Sequence, residues 1–96
     1  LSYKTILQTD LDVCFVCGKR GATDWHHVFN GAMKKRSEED GMMIHIHRGC
    51  HRFLHEHPMS NETMKKRAQR KWEETYGDRE AFIERYRKNY LWKENK

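Results

Sequence analysis

The sequence predicts a small α+β domain stapled by zinc, and three observations lead there. Cys14-x-x-Cys17 followed by Gly18, and His47-x-x-Cys50, are two halves of one tetrahedral metal site. Between them lie two short apolar segments with strand-like alternation. Beyond the second half, apolar residues recur at helical spacing toward the end of the chain.

The bulk composition explains why a staple is needed. The chain has 96 residues, 36% hydrophobic and 34% charged, which allows one small core and a wet surface. Three cysteines are an odd number and do not close a disulfide framework. They are expected as thiolate ligands in a reducing, cytoplasmic setting. No signal peptide or membrane-length apolar run is visible, so no membrane partner is expected. The net charge of +5 is compatible with nucleic acid.

Residues 1–12 lack a period and read as an N-terminal arm laid on the domain. Residues 13–23 form the knuckle: a tight turn aims both sulfurs at one metal and Gly18 permits it. A redox Cys-x-x-Cys would instead lead into a helix. Residues 24–29, with Trp25, Val28 and Phe29, suit a strand, which places His26 and His27 on opposite faces. One can face a metal and the other a substrate edge, or one can be structural. Residues 30–41 read as a polar connection, in which Lys34, Lys35 and Arg36 are either a solvated loop or a set of phosphate contacts. Residues 42–46 form the second strand, with Met42, Ile44 and Ile46 on one face and Met43 and His45 on the other; His45 reads as a packing residue, with a ligand role in place of His47 the alternative, which the two-residue spacing of His47 to Cys50 disfavours. Residues 47–57 predict a helix that ends before Pro58, with His51 and His55 at i and i+4 on one face.

A helix is then expected from about Ser60 to Tyr76, with Met64, Ala68, Trp72 and Tyr76 along its buried face and Gly77 as its cap. Lys65, Lys66, Arg67, Arg70 and Lys71 crowd the remaining surface; Lys65, Lys66 and Arg70 are the nucleic-acid candidates there. Asp78 reads as the N-cap of a last helix with Phe82, Ile83, Tyr86 and Tyr90 facing inward, closed by Leu91 and Trp92. These aromatic stripes read as core rather than as stacking platforms.

The ligand count separates two sites. Cys14, Cys17, His47 and Cys50 complete a closed, structural zinc site. His26, His27, His51 and His55 remain. Two helical imidazoles and one strand imidazole can hold a second, hard divalent ion, and the other strand imidazole can serve as a general base. An open ion beside a base suits phosphodiester hydrolysis.

The order Cys14-x-x-Cys17, His26-His27, His47-x-x-Cys50-His51, with His55 one turn on, resembles the HNH endonucleases. The downstream basic and aromatic helices resemble those of small phage-type members. The resemblance implies a zinc-stapled ββα-metal (His-Me finger) core over 13–58, with basic C-terminal helices over 59–96 in a single 1–96 domain. It places His26, His51 and His55 on a catalytic Mg2+, Mn2+ or similar ion and His27 as the general base, with His57 the substitute for His55 in an irregular helix. It implies cleavage of duplex DNA to a 5′-phosphate and a 3′-hydroxyl in a bacterial or phage-infected host, with no small-molecule substrate. The family's middle asparagine is missing near Met42; Asn30 is the weak substitute. The competing reading is a non-catalytic, zinc-stapled nucleic-acid-binding module, and a third is a treble-clef interaction domain.

Overall fold

The computed structural model describes residues 3–91 and gives a small α+β fold with one two-stranded sheet and four helices. Trp92, expected to close the last helix, lies outside these residues. Strand β1 (Asp24–His27) pairs antiparallel with β2 (Met43–Ile46), setting Asp24 opposite Ile46, Trp25 opposite His45, His26 opposite Ile44 and His27 opposite Met43. Both strands are shorter than their apolar runs. Val28 still donates to the Met42 carbonyl at 3.1 Å, but Phe29 turns away to pack on Tyr86, Tyr90 and Phe82.

The connection between the strands is not a loop. A 3-10 turn at Gly31–Met33 leads into helix α1 (Lys34–Asp40). Its sequence, Lys-Lys-Arg-Ser-Glu-Glu-Asp, lacks the apolar stripe by which a helix is usually read, because its buried residues are Ser37 and Asp40. Ser37 Oγ donates to the Phe29 carbonyl at 2.6 Å and accepts from the Phe29 N–H at 3.1 Å. Gly41 ends the helix at φ +76°; a Cβ there would lie 3.1 Å from the Ile6 backbone nitrogen, so both conformation and space ask for glycine.

Helix α2 (Arg48–Glu56) and helix α3 (Pro58–Thr75) follow with only His57 between them. Helix α3 starts at Pro58 rather than Ser60, since proline is well placed in a first turn, where its missing N–H costs nothing. Asp78 caps helix α4 (Arg79–Tyr86), accepting from the Ala81 N–H at 2.9 Å. Arg87 then enters the left-handed region at φ +63° and stops the helix, so Tyr90 packs from the following segment instead. Ile83 and Tyr76, both expected inside, are exposed. Gly77 lies one residue past the cap position, which Tyr76 takes.

Val28, Phe29, Met42, Ile44, Ile46, Leu54, Ala68, Trp72, Phe82 and Tyr86 form the core around Cys14. Residues 3–12 run beside β2. Gln8 bonds both backbone groups of His45, donating to its carbonyl at 3.0 Å and accepting from its N–H at 2.7 Å. His45 is held by the Leu11 carbonyl and rests against Trp25, which makes it a packing residue.

A buried carboxylate joins the helices. Asp40 accepts from Trp72 Nε1 at 2.8 Å, Tyr86 Oη at 2.8 Å, and Arg85 at 2.8 and 2.9 Å. Burial raises its pKa, but the hydrogen bonds from Arg85, Trp72 and Tyr86 outweigh that and hold it below the ordinary 3.8. Removing it leaves a guanidinium, an indole N–H and a phenol without their acceptor. Asp40→Ala is therefore expected to cost about 3 kcal/mol in urea unfolding. Because the folded pKa is depressed, this stabilisation is present above the unfolded value and is lost as pH falls below it. Asp40→Asn should flatten that part of the acid profile; a profile unchanged from wild type would remove Asp40 from the role.

Candidate metal centres

The first cluster gathers Cys14, Cys17, His47 and Cys50, whose ligand atoms all lie within 4.8 Å of one another. Local backbone geometry builds the knuckle. Gly18 N–H donates to the Cys14 carbonyl at 2.9 Å and Cys14 N–H to the Lys19 carbonyl at 2.8 Å, closing the turn around the sulfurs. Gly18, at φ +79°, supplies the left-handed residue this turn requires.

His47 arrives from the end of β2, at the cap position of α2. Its Nε2 lies 2.7 Å from the Arg20 carbonyl, and a carbonyl can only accept, so Nε2 carries the proton. The lone pair is then on Nδ1, which lies 3.2 Å from Cys17 Sγ. The ring is thus set to bind through Nδ1, as a structural ligand with an outer hydrogen-bond partner does.

The thiols feel one another. Burial, with Cys14 and Cys17 alongside, pushes the Cys50 thiol up to about 12. Burial also acts to raise Cys14, but N–H groups of Cys17, His47 and Val16 outweigh it and bring Cys14 down to about 7. A cation among the sulfurs would offset the burial and the neighbouring thiols that hold Cys50 protonated. These four residues are positioned to hold a metal ion, and three sulfurs with one imidazole are the donor set of a structural zinc site.

The second cluster is His26, His51 and His55, with ligand atoms again within 4.8 Å of one another. The ring centroids are 5.1 Å apart for His26 and His51, 5.7 Å for His26 and His55, and 4.9 Å for His51 and His55. Helix periodicity delivers two rings and β1 the third. His26 is 2% exposed, and its buried Nε2 has no hydrogen-bond partner among the described residues. Burial, then the neighbouring His51, depress its pKa to about 4, with the Asn61 side chain acting in the opposite direction. A neutral, partnerless imidazole nitrogen beside two further imidazoles fits a metal ligand set.

The strand pair divides its work as alternation requires. His27 points away from His26 toward α1, where its Nε2 lies 2.7 Å from Glu38 Oε2. Yet both histidines line one cavity of about 230 Å3, together with Trp25, Asn30, Lys34, His51 and His55. Opposite faces separate their partners without separating their access to this space.

The other candidates scatter. His57 stacks on Phe53 at 3.9 Å and bonds the Phe53 carbonyl at 2.8 Å, outside both clusters. Asn30 lines the cavity but makes no side-chain cap bond. Of the basic residues, Lys34 reaches the histidine cavity, while exposed Lys35 and half-buried Arg36 do not line it. On α3, Lys65 is half-buried with its Nζ 5.5 Å from the Tyr90 ring centre, and Lys66 is half-buried. Arg70 lines a separate groove of about 400 Å3 with Arg67, Lys71 and Phe15.

Three neighbours of the histidines carried no signal in the sequence. Asp24 Oδ2 lies 3.3 Å from His51 Nδ1, Glu38 meets His27, and Asn61 approaches His26 from α3. Their distances along the chain are irregular, and two of the three come from helices other than α2. Comparison of the chain with protein-family models, curated proteins and solved structures returns no match.

Metal removal tests the first cluster. Native mass spectrometry is expected to find zinc on the wild-type chain at this site and to lose it in Cys50→Ser, with the thermal transition falling in parallel. A strong chelator should erase the helical circular dichroism, because metal binding here is folding free energy. A Cys50→Ser protein as stable as wild type would show that the cluster staples nothing.

Proposed function

We propose that this chain is a metal-dependent nuclease of the HNH type, with a zinc-stapled ββα-metal core, that hydrolyses phosphodiester bonds in duplex DNA. One observation carries the reading: His26, His51 and His55 converge on one side of a cavity that His27 and Lys34 also line. The antiparallel pair β1 and β2, followed by helix α2, supports reading this region as a ββα unit, with α1 inserted between the strands.

The three converging imidazoles are the residues that would hold Mg2+, Mn2+ or a similar ion. When bound, such an ion supplies charge stabilisation on the phosphoryl and leaving oxygens. His27 accepts the proton of the attacking water. Glu38, 2.7 Å from its Nε2, holds the ring and leaves Nδ1 as the free nitrogen for that proton. Lys34, in the first turn of α1 and exposed, brings a positive charge to the wall where a phosphate would sit. The products would be a 5′-phosphate and a 3′-hydroxyl. The cysteine cluster and the basic residues of α3 also suit a zinc-stapled binding module, which would bind DNA without cutting it.

Plasmid nicking decides between these. Wild-type protein with Mg2+ or Mn2+ is expected to convert supercoiled plasmid to open circles, and His27→Ala to lower the rate by at least roughly 100-fold. Equal nicking by both proteins would remove His27 from the chemistry. Binding with no nicking in any divalent metal would favour the non-catalytic module. Lys34→Ala should weaken duplex binding and reduce the slope of log K against log salt by about one; an unchanged slope would place the phosphate elsewhere.

A further inference from the structure

We propose that Asp24 is the positioning residue of the histidine cluster: it fixes the tautomer of His51 and so determines which nitrogen His51 presents to an ion. The proposal rests on reading His26, His51 and His55 as a divalent-metal site, and it names a residue that this ligand set leaves out.

A neutral imidazole has one N–H and one lone pair, and a ligand must place the lone pair on the ion. Free histidine exchanges between the two forms, so an unguided ring presents the wrong nitrogen part of the time. His51 is guided. Its Nδ1 lies 3.3 Å from Asp24 Oδ2. A carboxylate only accepts, so the proton belongs on Nδ1 and the lone pair on Nε2. Nδ1 is thereby removed from the ligand set, and His51 binds through Nε2.

Asp24 is itself held in place. Thr23 Oγ1 lies 3.0 Å from its Oδ1, and Arg48 Nε lies 3.6 Å from the same oxygen. That leaves Oδ2 for His51. The Asp24 side chain is 17% exposed, which protects the contact from solvent better than a surface pair. Asp24 does not belong to the set of ligand atoms that converge within 4.8 Å, so it acts from outside that set. Its position follows from strand geometry. Asp24 and His26 are two residues apart on β1 and share a face, so one strand face supplies both a ligand and the group that orients a ligand on α2. The same logic operates at the cysteine cluster, where the Arg20 carbonyl fixes His47.

The test uses the whole chain with zinc at the cysteine site. Long-range proton–nitrogen NMR of the imidazoles should show His51 as the Nδ1–H form in wild type and a mixture in Asp24→Ala. Titration with Co2+, followed by its visible absorption, should show binding weakened roughly 10- to 100-fold in Asp24→Ala. Asp24→Asn keeps the shape and an acceptor oxygen, and is expected to lie between the two, which guards against a folding defect in the alanine variant. His51 remaining Nδ1–H in Asp24→Ala, or Co2+ binding equal to wild type, would overturn the proposal. Wild-type protein that takes up no ion beyond the zinc would instead overturn the reading of the three histidines as a metal site.

Discussion

Three thiols and an imidazole held within 4.8 Å of one another impose the constraint on which the rest of the structure depends. Cys50, pushed up to about 12 by burial and by its neighbours, stays protonated unless a cation offsets the repulsion. A metal ion held by these four residues would fix the knuckle after the N-terminal arm to the point where β2 becomes α2. His47 occupies the cap position of α2, so the cluster also fixes where that helix begins. The start of a helix sets the direction of every later side chain, and His51 and His55 are one turn apart on it. Their approach to His26 depends on where that helix begins.

The two clusters are built from different donors, which would suit different metals. Thiolates favour zinc and leave no open coordination position once four ligands are bound. Three imidazoles leave positions open. Burial keeps His26 neutral, near 4, so its nitrogen is available as a donor throughout the neutral range. On the proposed reading, the closed site contributes folding energy and the open one chemistry. Each site also has an outer group that settles the tautomer of a histidine: the Arg20 carbonyl for His47 and Asp24 for His51.

What could be read from the sequence was whatever depends on short spacings. Cys14 and Cys17, His47 and Cys50, and His51 and His55 each lie within one turn, and local geometry alone brings each pair together. The opposite placement of His26 and His27 follows from strand alternation. The core positions Met42, Ile44, Ile46, Ala68, Trp72, Phe82 and Tyr86 follow from periodicity, and all are buried. Helix α1 was hidden because its anchoring is polar: Ser37 and Asp40 bury hydrogen-bonding groups where a pattern search looks for hydrocarbon. Tyr90 packs on the core from beyond α4, not from within it, because the left-handed turn at Arg87 ends the helix at a residue type that seldom takes that conformation. Ile83 is exposed because Phe82 and Tyr86, one turn apart, form the buried face of α4. Asp24, Glu38 and Asn61 have meaning only once β1, α1 and α3 are in place.

Helix α1 joins stability to the site. Seven residues are too few to form a stable helix alone, and this one has no apolar face. Its order therefore comes from tertiary partners: Phe29 at Ser37, and Trp72, Tyr86 and Arg85 at Asp40. Lys34 and Glu38 project from the same short helix toward His27 and its cavity. Glu38 lies two residues from Asp40, so the backbone that aims it at His27 is held by a carboxylate bonded to α3 and α4. Helix α4 thus reaches the histidine cavity through α1, and α3 does so both through α1 and through Asn61 beside His26, without either helix lining the cavity. A small core with little hydrocarbon to spare has used a buried polar junction to position the wall of its candidate site.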